Sequence, residues 1–185
     1  MKDKTESIKQ ALLTVLALAV MVVIFGVFLM TQGVNPIQIY GDMIVSTLGN
    51  SYGIGQVVVK SSPFIMVAVA TAISAKAGLV NVGGEGQLAI GALLATFVAV
   101  FVAKSMPGPV GILLMLVAGA LGGAVWSGLA GLMKVKAGMN ETLTTVIMNY
   151  MAYDIVSFLV YGILKDPESF SWPMSPEIAD KLRLP

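Results

Sequence analysis

The sequence predicts an all-α, polytopic membrane bundle with about five transmembrane helices and a glycine-rich helix break. Three observations carry this prediction. The chain of 185 residues is 57% hydrophobic and 11% charged, whereas a soluble domain carries about 25% charged residues. Several apolar stretches approach or reach the roughly 20 residues that a spanning helix needs. The stretch "NVGGEGQ", residues 81–87, interrupts this apolar pattern with glycines and polar side chains.

The composition also excludes several classes of function. The net charge of +1 leaves no basic stripe for nucleic acid. The chain has no cysteine, which excludes disulfides and thiolate metal sites. It has no histidine either, so the commonest general base and the commonest zinc ligand are missing. We therefore expect no metal site, no cofactor and no nucleic-acid partner, and we expect a lipid bilayer around the chain.

The first predicted span covers residues 11–30, which carry no charge. Its apolar run is longer than the roughly 7–15 residues of a signal-peptide core. No clear small-residue cleavage pattern follows it. We therefore expect a retained helix rather than a cleaved signal peptide, preceded by a cytoplasmic N-terminus at residues 1–10.

The rest of the chain predicts four more spans and two polar segments. Residues 31–61 are of mixed polarity and predict an external loop with short interfacial helical pieces, although an additional membrane-dipping helix there stays open. Asn140 is the expected N-cap of the last span, and Glu141 lies in its first turn, where the helix dipole favours an anion. The transmembrane region then covers residues 11–165, and residues 166–185 form an external loop. The four later spans are predicted at residues 63–75, 87–103, 110–133 and 140–164.

The lysines predict the orientation of the chain, because cytoplasmic loops of membrane proteins carry an excess of Lys and Arg. An odd number of crossings that starts inside places six lysines in the cytoplasm: Lys2, Lys4, Lys9, Lys76, Lys134 and Lys136. The outside then holds Lys60, Lys104, Lys165, Lys181 and Arg183. This modest excess predicts a cytoplasmic N-terminus and an external C-terminal segment.

Two stripes of small residues recur at every fourth position along neighbouring predicted spans. The stripes are Gly91, Ala95, Ala99 and Ala103 in the third span, and Gly119, Gly123, Ser127 and Gly131 in the fourth. Small residues let helix backbones approach closely in lipid, where no hydrophobic drive brings helices together. Membrane helices are rich in Gly and Ala in any case, so the stripes indicate helix packing and carry no information about a substrate.

Five polar side chains in or beside the predicted spans are candidates for a substrate path or gate: Asn81, Glu85, Gln87, Asn149 and Asp154. Such groups are costly in lipid unless they face protein or water. The alternative is that they bond to neighbouring helices and fix the helix register. For Asn149 we favour this structural alternative, because amides commonly bridge membrane helices. For Asp154 both alternatives stay open, because an intramembrane carboxylate is a functional candidate by default.

Gly83, Gly84 and Gly86 predict the helix break itself. Glycine permits backbone conformations that are closed to other residues, and irregular backbone survives at membrane depth only where protein or water satisfies it. The stretch is therefore either a re-entrant break that lines a cavity, as at the substrate sites of many transporters, or a tight cytoplasmic turn. It lacks the GK[ST] of a phosphate loop and follows no strand, which excludes nucleotide binding.

Three stretches of the chain carry a resemblance to a known family. They are "AGLVNVGGEGQLAIGALLA" (77–95), "GLMKVKAGMNETLTTVIMNYMA" (131–152) and "LKDPESFSWPMSPEIADKLRLP" (164–185). The first closely resembles the signature of bacterial ABC importer permeases for nucleosides and simple sugars, within the branched-chain amino acid and ribose permease superfamily. The second fits the same pattern, and the third resembles the external loop that follows about the fifth helix of these permeases.

This resemblance implies a membrane-spanning transport subunit that is not an enzyme, with nucleosides favoured over simple sugars as substrate. The implied partners are a cytoplasmic ABC ATPase, a second permease subunit and an extracellular or periplasmic substrate-binding protein or lipoprotein. The implied location is the bacterial cell (inner) membrane. The resemblance places Asn81, Glu85 and Gln87 near the path and matches Asn149 to the second motif, whereas Asp154 receives no assignment. We expect the chain to be the N-terminal half of a permease, as a fragment, a truncated product or one piece of a split protein.

Two other classes of function stay open. An ion-coupled secondary carrier would use Asp154 and Glu85 as coupling carboxylates, respond to a proton or sodium gradient and ignore ATP depletion. A small membrane scaffold protein would use the small-residue stripes as binding faces and would leave uptake unchanged when deleted.

Overall fold

The computed structural model describes residues 4–183, and within that range the chain is helical without any strand. Five of its helices are long and apolar enough to cross a membrane, which confirms the predicted fold class. The helices are α1 (Lys4–Thr31), α2 (Pro36–Leu48), α3 (Ser51–Lys76), α4 (Gly84–Phe101), α5 (Gly108–Ala137) and α6 (Glu141–Tyr161). Short 3₁₀ turns lie at Ala103–Ser105 and Asp180–Leu182.

The segment 31–61, predicted as a loop with short helical pieces, contains the short helix α2 but also the first part of α3, so the prediction is wrong only where α3 begins early. Its position outside the membrane stays a prediction. The side chain of Asn35 accepts a hydrogen bond from the amide of Ile37, and Pro36 occupies the first turn, so α2 begins with two strong start signals. Helix α2 has 13 residues and is not among the five candidate spans.

Helix α3 begins twelve residues earlier than the predicted second span. The side chain of Asn50 accepts a hydrogen bond from the amide of Gly53 at 2.7 Å. This bond caps the start of α3 directly after the end of α2. Pro63, the predicted first residue of the second span, and Lys60, predicted outside the membrane, both lie inside the helix. An interior proline removes one backbone hydrogen bond, but membrane helices tolerate such a break where neighbouring groups satisfy it.

The chain divides into two compact units, Met1–Ser61 and Ser62–Pro185. In the first unit, one aromatic residue of α2 makes the main contacts with α1. The hydroxyl of Tyr40 donates a hydrogen bond to the carbonyl of Val22 at 2.6 Å. The ring of Tyr40 lies 6.2 Å from that of Phe25, and Gly26 leaves space for it on α1. A single hydrogen bond and an aromatic contact thus set the angle between these two helices.

The second unit is built around α4, which packs against both α5 and α6. Gly91 and Gly119 let α4 and α5 approach closely: a Cβ added at Gly91 would lie 2.8 Å from the carbonyl oxygen of Gly119. Ala99 is almost fully buried further along α4. The predicted small-residue stripes therefore face each other over these turns, as small residues do in membrane helix pairs.

The C-terminal segment is irregular, except for turns and the 3₁₀ turn at Asp180–Leu182, and it folds back onto the start of α5. Leu164 and Leu182 are both buried. The side chain of Leu182 fills the space above Gly111, which could not hold even a Cβ there. The segment predicted as a loop is thus anchored by leucine contacts, while its position outside the membrane stays a prediction.

Candidate functional site

The helix break lies between the end of α3 at Lys76 and the start of α4 at Gly84. Its last residues contact α6 at Thr145 and Asn149, which are the fifth and ninth residues of that helix. At about 1.5 Å per residue, these contacts lie roughly 6–12 Å inside the end of α6. Helix α4 therefore begins within the bundle. This depth favours a re-entrant break over a tight turn at the surface.

Asn149 caps the start of α4 from a different helix. The N-cap residue of α4 is Gly83, which has no side chain with which to satisfy the free amides of the first turn. The side-chain oxygen of Asn149 accepts a hydrogen bond from the amide of Gly86 at 2.8 Å. Its side-chain nitrogen donates to the carbonyl of Val82 at 3.0 Å. Thr145, one turn earlier on α6, accepts from the amide of Val82 at 3.2 Å.

Asn81 and Gln87 form a reciprocal amide pair across the break. The side-chain oxygen of Asn81 accepts from the amide of Gly83 at 2.8 Å and from the side-chain nitrogen of Gln87 at 3.3 Å. The side-chain nitrogen of Asn81 donates to the side-chain oxygen of Gln87 at 3.4 Å. These amides satisfy each other, and together they hold the first turn of α4 against the loop that precedes it.

The three glycines of the break are required for space rather than for backbone freedom. Within residues 4–183, the glycines with positive φ are Gly33, Gly78 and Gly138, so the reason given from the sequence for these three was wrong. A Cβ at Gly83 would lie 2.9 Å from the Cβ of Thr145, and one at Gly84 would lie 2.5 Å from a methyl group of Val67. A Cβ at Gly86 would lie 2.8 Å from the side-chain oxygen of Asn149. Each glycine lets another helix reach the break.

Two carboxylates of the candidate set have different surroundings from these amides. Glu85 is exposed and accepts a hydrogen bond from the hydroxyl of Tyr153 at 3.5 Å, the long limit for such a bond. Asp154 is exposed and makes no hydrogen bond or ion pair within the part of the chain that the structure describes. The structure thus brings Asn81, Glu85, Gln87 and Asn149 together at the break and leaves Asp154 on another face of α6.

Two cavities meet beside the amide pair. A groove of about 620 Å³ lies between α3, α4 and α5, and a smaller pocket of about 120 Å³ lies next to it. Both are lined by Gln87 and Ser127, which therefore mark their junction. The groove is otherwise apolar, while the pocket is lined by several polar side chains: Ser74, Asn81, Lys134, Glu141 and Thr145.

Sequence reasoning missed the roles of three residues that build this site. Ser127 was assigned to helix packing alone, although it lines both cavities. Thr145 could have been found from its four-residue spacing to Asn149, which places both on one helix face. Lys134 was used only to predict orientation, yet its ammonium group donates to the carboxylate of Glu141 and closes one side of the smaller pocket. The turn at Gly138, with a φ of 65°, brings these two side chains together.

The predicted packing residues fall into two groups. Gly91, Ala95, Gly119 and Gly123 lie at the contact between α4 and α5. Gly131 does not, since a Cβ there would meet no atom within 4 Å among the described residues. Small size at position 131 has no packing explanation in this structure.

Five candidate spans and a helix that begins inside the bundle are features of a polytopic membrane protein. The chain belongs to the family described as the permease component of the branched-chain amino acid transport system, which matches residues 53–183. The family membership confirms the resemblance drawn from the motifs at residues 77–95 and 131–152.

Three curated relatives are similar to this chain. It is 36% identical over 160 residues to the glucose ABC transporter permease protein TsgB13 of Haloferax volcanii. It is 26% identical over 165 residues to the nucleoside ABC transporter permease protein NupB of Lactococcus lactis. It is 27% identical over 143 residues to the guanosine ABC transporter permease protein NupP of Bacillus subtilis.

The matches cover 86%, 89% and 76% of this chain but only 41%, 44% and 40% of the respective relatives. The chain therefore spans less than half the length of the curated relatives that it matches. No solved structure matches the chain with significance.

Proposed function

We propose that the chain is part of the membrane-spanning subunit of an ATP-binding-cassette importer that moves nucleosides inward. In this proposal a substrate-binding protein or lipoprotein delivers the solute from outside, and a cytoplasmic ATPase, on another chain, drives the change of access. A second permease subunit completes the path across a bacterial cell membrane, and the N-terminus of this chain lies in the cytoplasm. Family membership supports the proposal, and two of the three relatives are named for nucleoside transport.

The start of α4 inside the bundle is the observation that carries the proposal. Its first turn is held by Asn149 and Thr145 from α6, which bond both backbone groups of Val82 and the amide of Gly86. A helix that begins at membrane depth beside a cavity is the arrangement that transporters use at solute sites. Gln87 and Ser127 lie at the junction of the two cavities beside this helix start.

The composition of the groove favours a nucleoside over a simple sugar. Its walls are apolar side chains and glycines, with Gln87 and Ser127 as the polar side chains that line it. A nucleobase has flat apolar faces and polar edges, which match apolar walls with a few fixed polar groups. A simple sugar carries hydroxyl groups around its ring, and each would need a hydrogen-bond partner when it leaves water.

A simple-sugar importer is the second candidate. The identity of 36% with a permease named for glucose, compared with 26% and 27% for the two nucleoside relatives, favours it. Nucleosides and simple sugars both contain a hydroxylated ring, so the two candidate functions differ mainly in whether the apolar groove binds a nucleobase.

Uptake into vesicles that contain the complete transporter tests the proposal. ATP is enclosed in the vesicles, the substrate-binding protein is added outside, and entry of labelled guanosine, uridine and glucose is followed. We expect nucleoside uptake that requires ATP and is unaffected when ionophores collapse proton and sodium gradients. Uptake of glucose alone would favour the sugar candidate. Uptake that follows an ion gradient and ignores ATP would establish a secondary carrier instead, and no uptake of any solute would favour a scaffold.

A further inference from the structure

The exposed aromatic residues of the C-terminal segment lie on one small loop, residues 166–174, which we name the aromatic loop. Its two ends are joined by a backbone hydrogen bond, in which the amide of Asp166 donates to the carbonyl of Met174 at 2.8 Å. Inside the loop, the amide of Trp172 donates to the carbonyl of Ser169 at 3.0 Å, and the hydroxyl of Ser169 donates to the carbonyl of Asp166 at 2.8 Å. The aromatic loop is therefore a preformed element that is held by its own hydrogen bonds.

The apolar side chains of the aromatic loop point away from the protein. Phe170 is 91% exposed, Trp172 is 74% exposed and Met174 is 56% exposed. Phe170 also has a φ of 49°, and among the described residues it is the one residue other than glycine with a positive φ. This conformation is unfavourable for a bulky side chain and persists only where the surrounding structure imposes it. The fold thus displays an aromatic ring that its own core does not use.

Two buried leucines fix the aromatic loop at one end of the helix bundle. Leu164 precedes the loop and Leu182 follows it, and they are only 1% and 3% exposed. The side chain of Leu182 lies over Gly111, in the first turn of α5. Helix α6 ends at Tyr161, shortly before Leu164. The loop therefore lies where α6 ends and α5 begins.

The lengths of these two helices place that end of the bundle at the membrane surface. Helix α6 has 21 residues, or about 31 Å, which matches the roughly 30 Å of a hydrocarbon core. Helices α5 and α6 are joined by the turn at Gly138 and run in opposite directions, and about 39 Å separate Gly111 from the end of α5. The contact of Leu182 with Gly111 is then roughly 8 Å further out than Tyr161. The polar headgroup layer is about 5–8 Å thick on each side, so both ends of the aromatic loop are anchored at this layer.

The composition of the aromatic loop favours lipid over a soluble protein as its partner. The stretch "SFSWPMSP", residues 169–176, carries no charge, whereas protein partners recognise each other through complementary charges as well as aromatic groups. Tryptophan is enriched at membrane–water interfaces, where its ring contacts apolar groups and its N–H group stays hydrated. Irregular backbone beside lipid needs internal hydrogen bonds, and the loop has them. The exposed Tyr161 and Ile163 at the end of α6 come directly before it.

We propose that the aromatic loop is a membrane-interface anchor, in which Phe170 and Trp172 insert into the headgroup layer of the bilayer on the side where α6 ends. The two rings contact the outer parts of the acyl chains, while the exposed Lys165 and Glu168 stay in water. Interfacial aromatic residues help to set the tilt and rotation of membrane helices, so the anchor fixes the adjoining ends of α5 and α6 at the membrane surface. The inference concerns lipid, and it holds whichever solute is transported.

Spin labels on single cysteines test the inference, since the sequence contains no native cysteine. Phe170→Cys and Trp172→Cys are made one at a time in a cysteine-free version of the complete transporter, with Glu168→Cys as the matched control on the same loop. Each variant is labelled with a nitroxide and placed in liposomes of phosphatidylethanolamine and phosphatidylglycerol. Collision with oxygen, which concentrates in lipid, is compared with collision with a water-soluble nickel chelate. We expect the ratio of oxygen to chelate collisions to be at least about threefold higher at positions 170 and 172 than at position 168.

Three outcomes of this experiment would overturn the inference. Equal ratios at positions 168, 170 and 172 would show that the aromatic side chains face water. Shielding of positions 170 and 172 from both reagents would show that further protein covers the loop. Shielding that arises only when the substrate-binding protein is added would make the loop a docking surface for that protein instead.

Phe170→Asn separates insertion from folding. Asparagine tolerates positive φ better than phenylalanine does, so the loop should keep its backbone, and the unfolding temperature in detergent should stay the same or rise. In liposomes we expect the label at Trp172→Cys to become more accessible to the chelate in this background, because one of the two inserted rings is missing. An unchanged collision ratio would overturn the joint insertion of the two rings.

Discussion

Two polar side chains on α6, Asn149 and Asp154, lie five positions apart and have opposite surroundings. Asn149 is half-buried, and both ends of its amide are bonded to the backbone of the helix break. Asp154 is exposed and has no hydrogen-bond partner among the described residues. Both are costly in lipid, and the structure removes that cost for one of them only. We propose that Asn149 stabilises the fold, whereas Asp154 meets a group from outside the described part of the chain.

This difference separates the polar candidates by role. Asn81, Gln87, Thr145 and Asn149 use their hydrogen-bonding groups to build the start of α4. Glu85 and Asp154 keep accessible carboxylates. Substitutions in the first group should lower the amount of folded protein, and substitutions in the second should lower uptake by protein that is still folded.

Gly86→Val should have the largest effect on stability. A Cβ at this position would lie 2.8 Å from the side-chain oxygen and 3.0 Å from the Cα of Asn149, so α4 and α6 must separate. Overpacking of this kind costs about 1–3 kcal/mol, and the hydrogen bond from Gly86 to Asn149 is lost as well. Thermal unfolding in detergent measures the effect. Gly131→Ala is the matched control, since its Cβ meets no atom within 4 Å and its unfolding temperature should stay the same or rise.

Gly123→Leu should reduce the amount of folded protein without changing the choice of solute. A Cβ at Gly123 lies 3.3 Å from the carbonyl oxygen of Gln87, and a larger side chain must push α5 away from α4. We expect a cost of about 1–3 kcal/mol. Membrane abundance by quantitative immunoblot and the uptake ratio of guanosine to glucose are measured together. Wild-type abundance, or an altered ratio at reduced abundance, would count against a pure packing role.

Thr145→Val should cost about 0.5–1.5 kcal/mol, because the amide of Val82 loses its hydrogen-bond acceptor while the shape of the side chain is preserved. Thr142→Val provides the control, since the hydroxyl of Thr142 makes no hydrogen bond within the described residues. Equal unfolding temperatures for the two variants would show that the bond between Thr145 and the break contributes nothing.

Glu85→Gln should leave abundance and unfolding temperature unchanged and should lower nucleoside uptake. The carboxylate is exposed, and the amide can still accept the hydrogen bond from Tyr153. Lower uptake by this variant would therefore result from the missing negative charge and not from a change in the fold. Initial uptake rates are divided by the amount of transporter in the membrane. Normal uptake by this variant would remove Glu85 from the path.

The sequence predicts the spans well where length and polarity alone decide them. The N-cap of α6 is confirmed, since the side chain of Asn140 accepts from the amide of Leu143. The start of α3 was missed because a proline and a lysine resemble a boundary, while the cap at Asn50 is a contact between residues three apart within a polar stretch.

At the helix break, the contacts between helices could not be predicted from the local sequence pattern. The three glycines mark its position, but whether glycine is needed for φ or for space depends on which helix packs against it. Asn149 bonds to Val82 across 67 positions of sequence, so no local pattern indicates the pair. The role of Ser127 at the junction of two cavities likewise arises only when α4 and α5 are packed together.

The most direct test of the two-role account compares Asn149→Ala with Asp154→Ala in the complete transporter. Membrane abundance, unfolding temperature and ATP-driven nucleoside uptake per folded molecule are measured for both. The account predicts that Asn149→Ala lowers abundance and unfolding temperature, because the amide of Gly86 and the carbonyl of Val82 lose their partner. It predicts that Asp154→Ala keeps both at the wild-type level and loses most uptake per molecule. The reverse pattern, with a stable Asn149 variant and an unstable but fully active Asp154 variant, would contradict it.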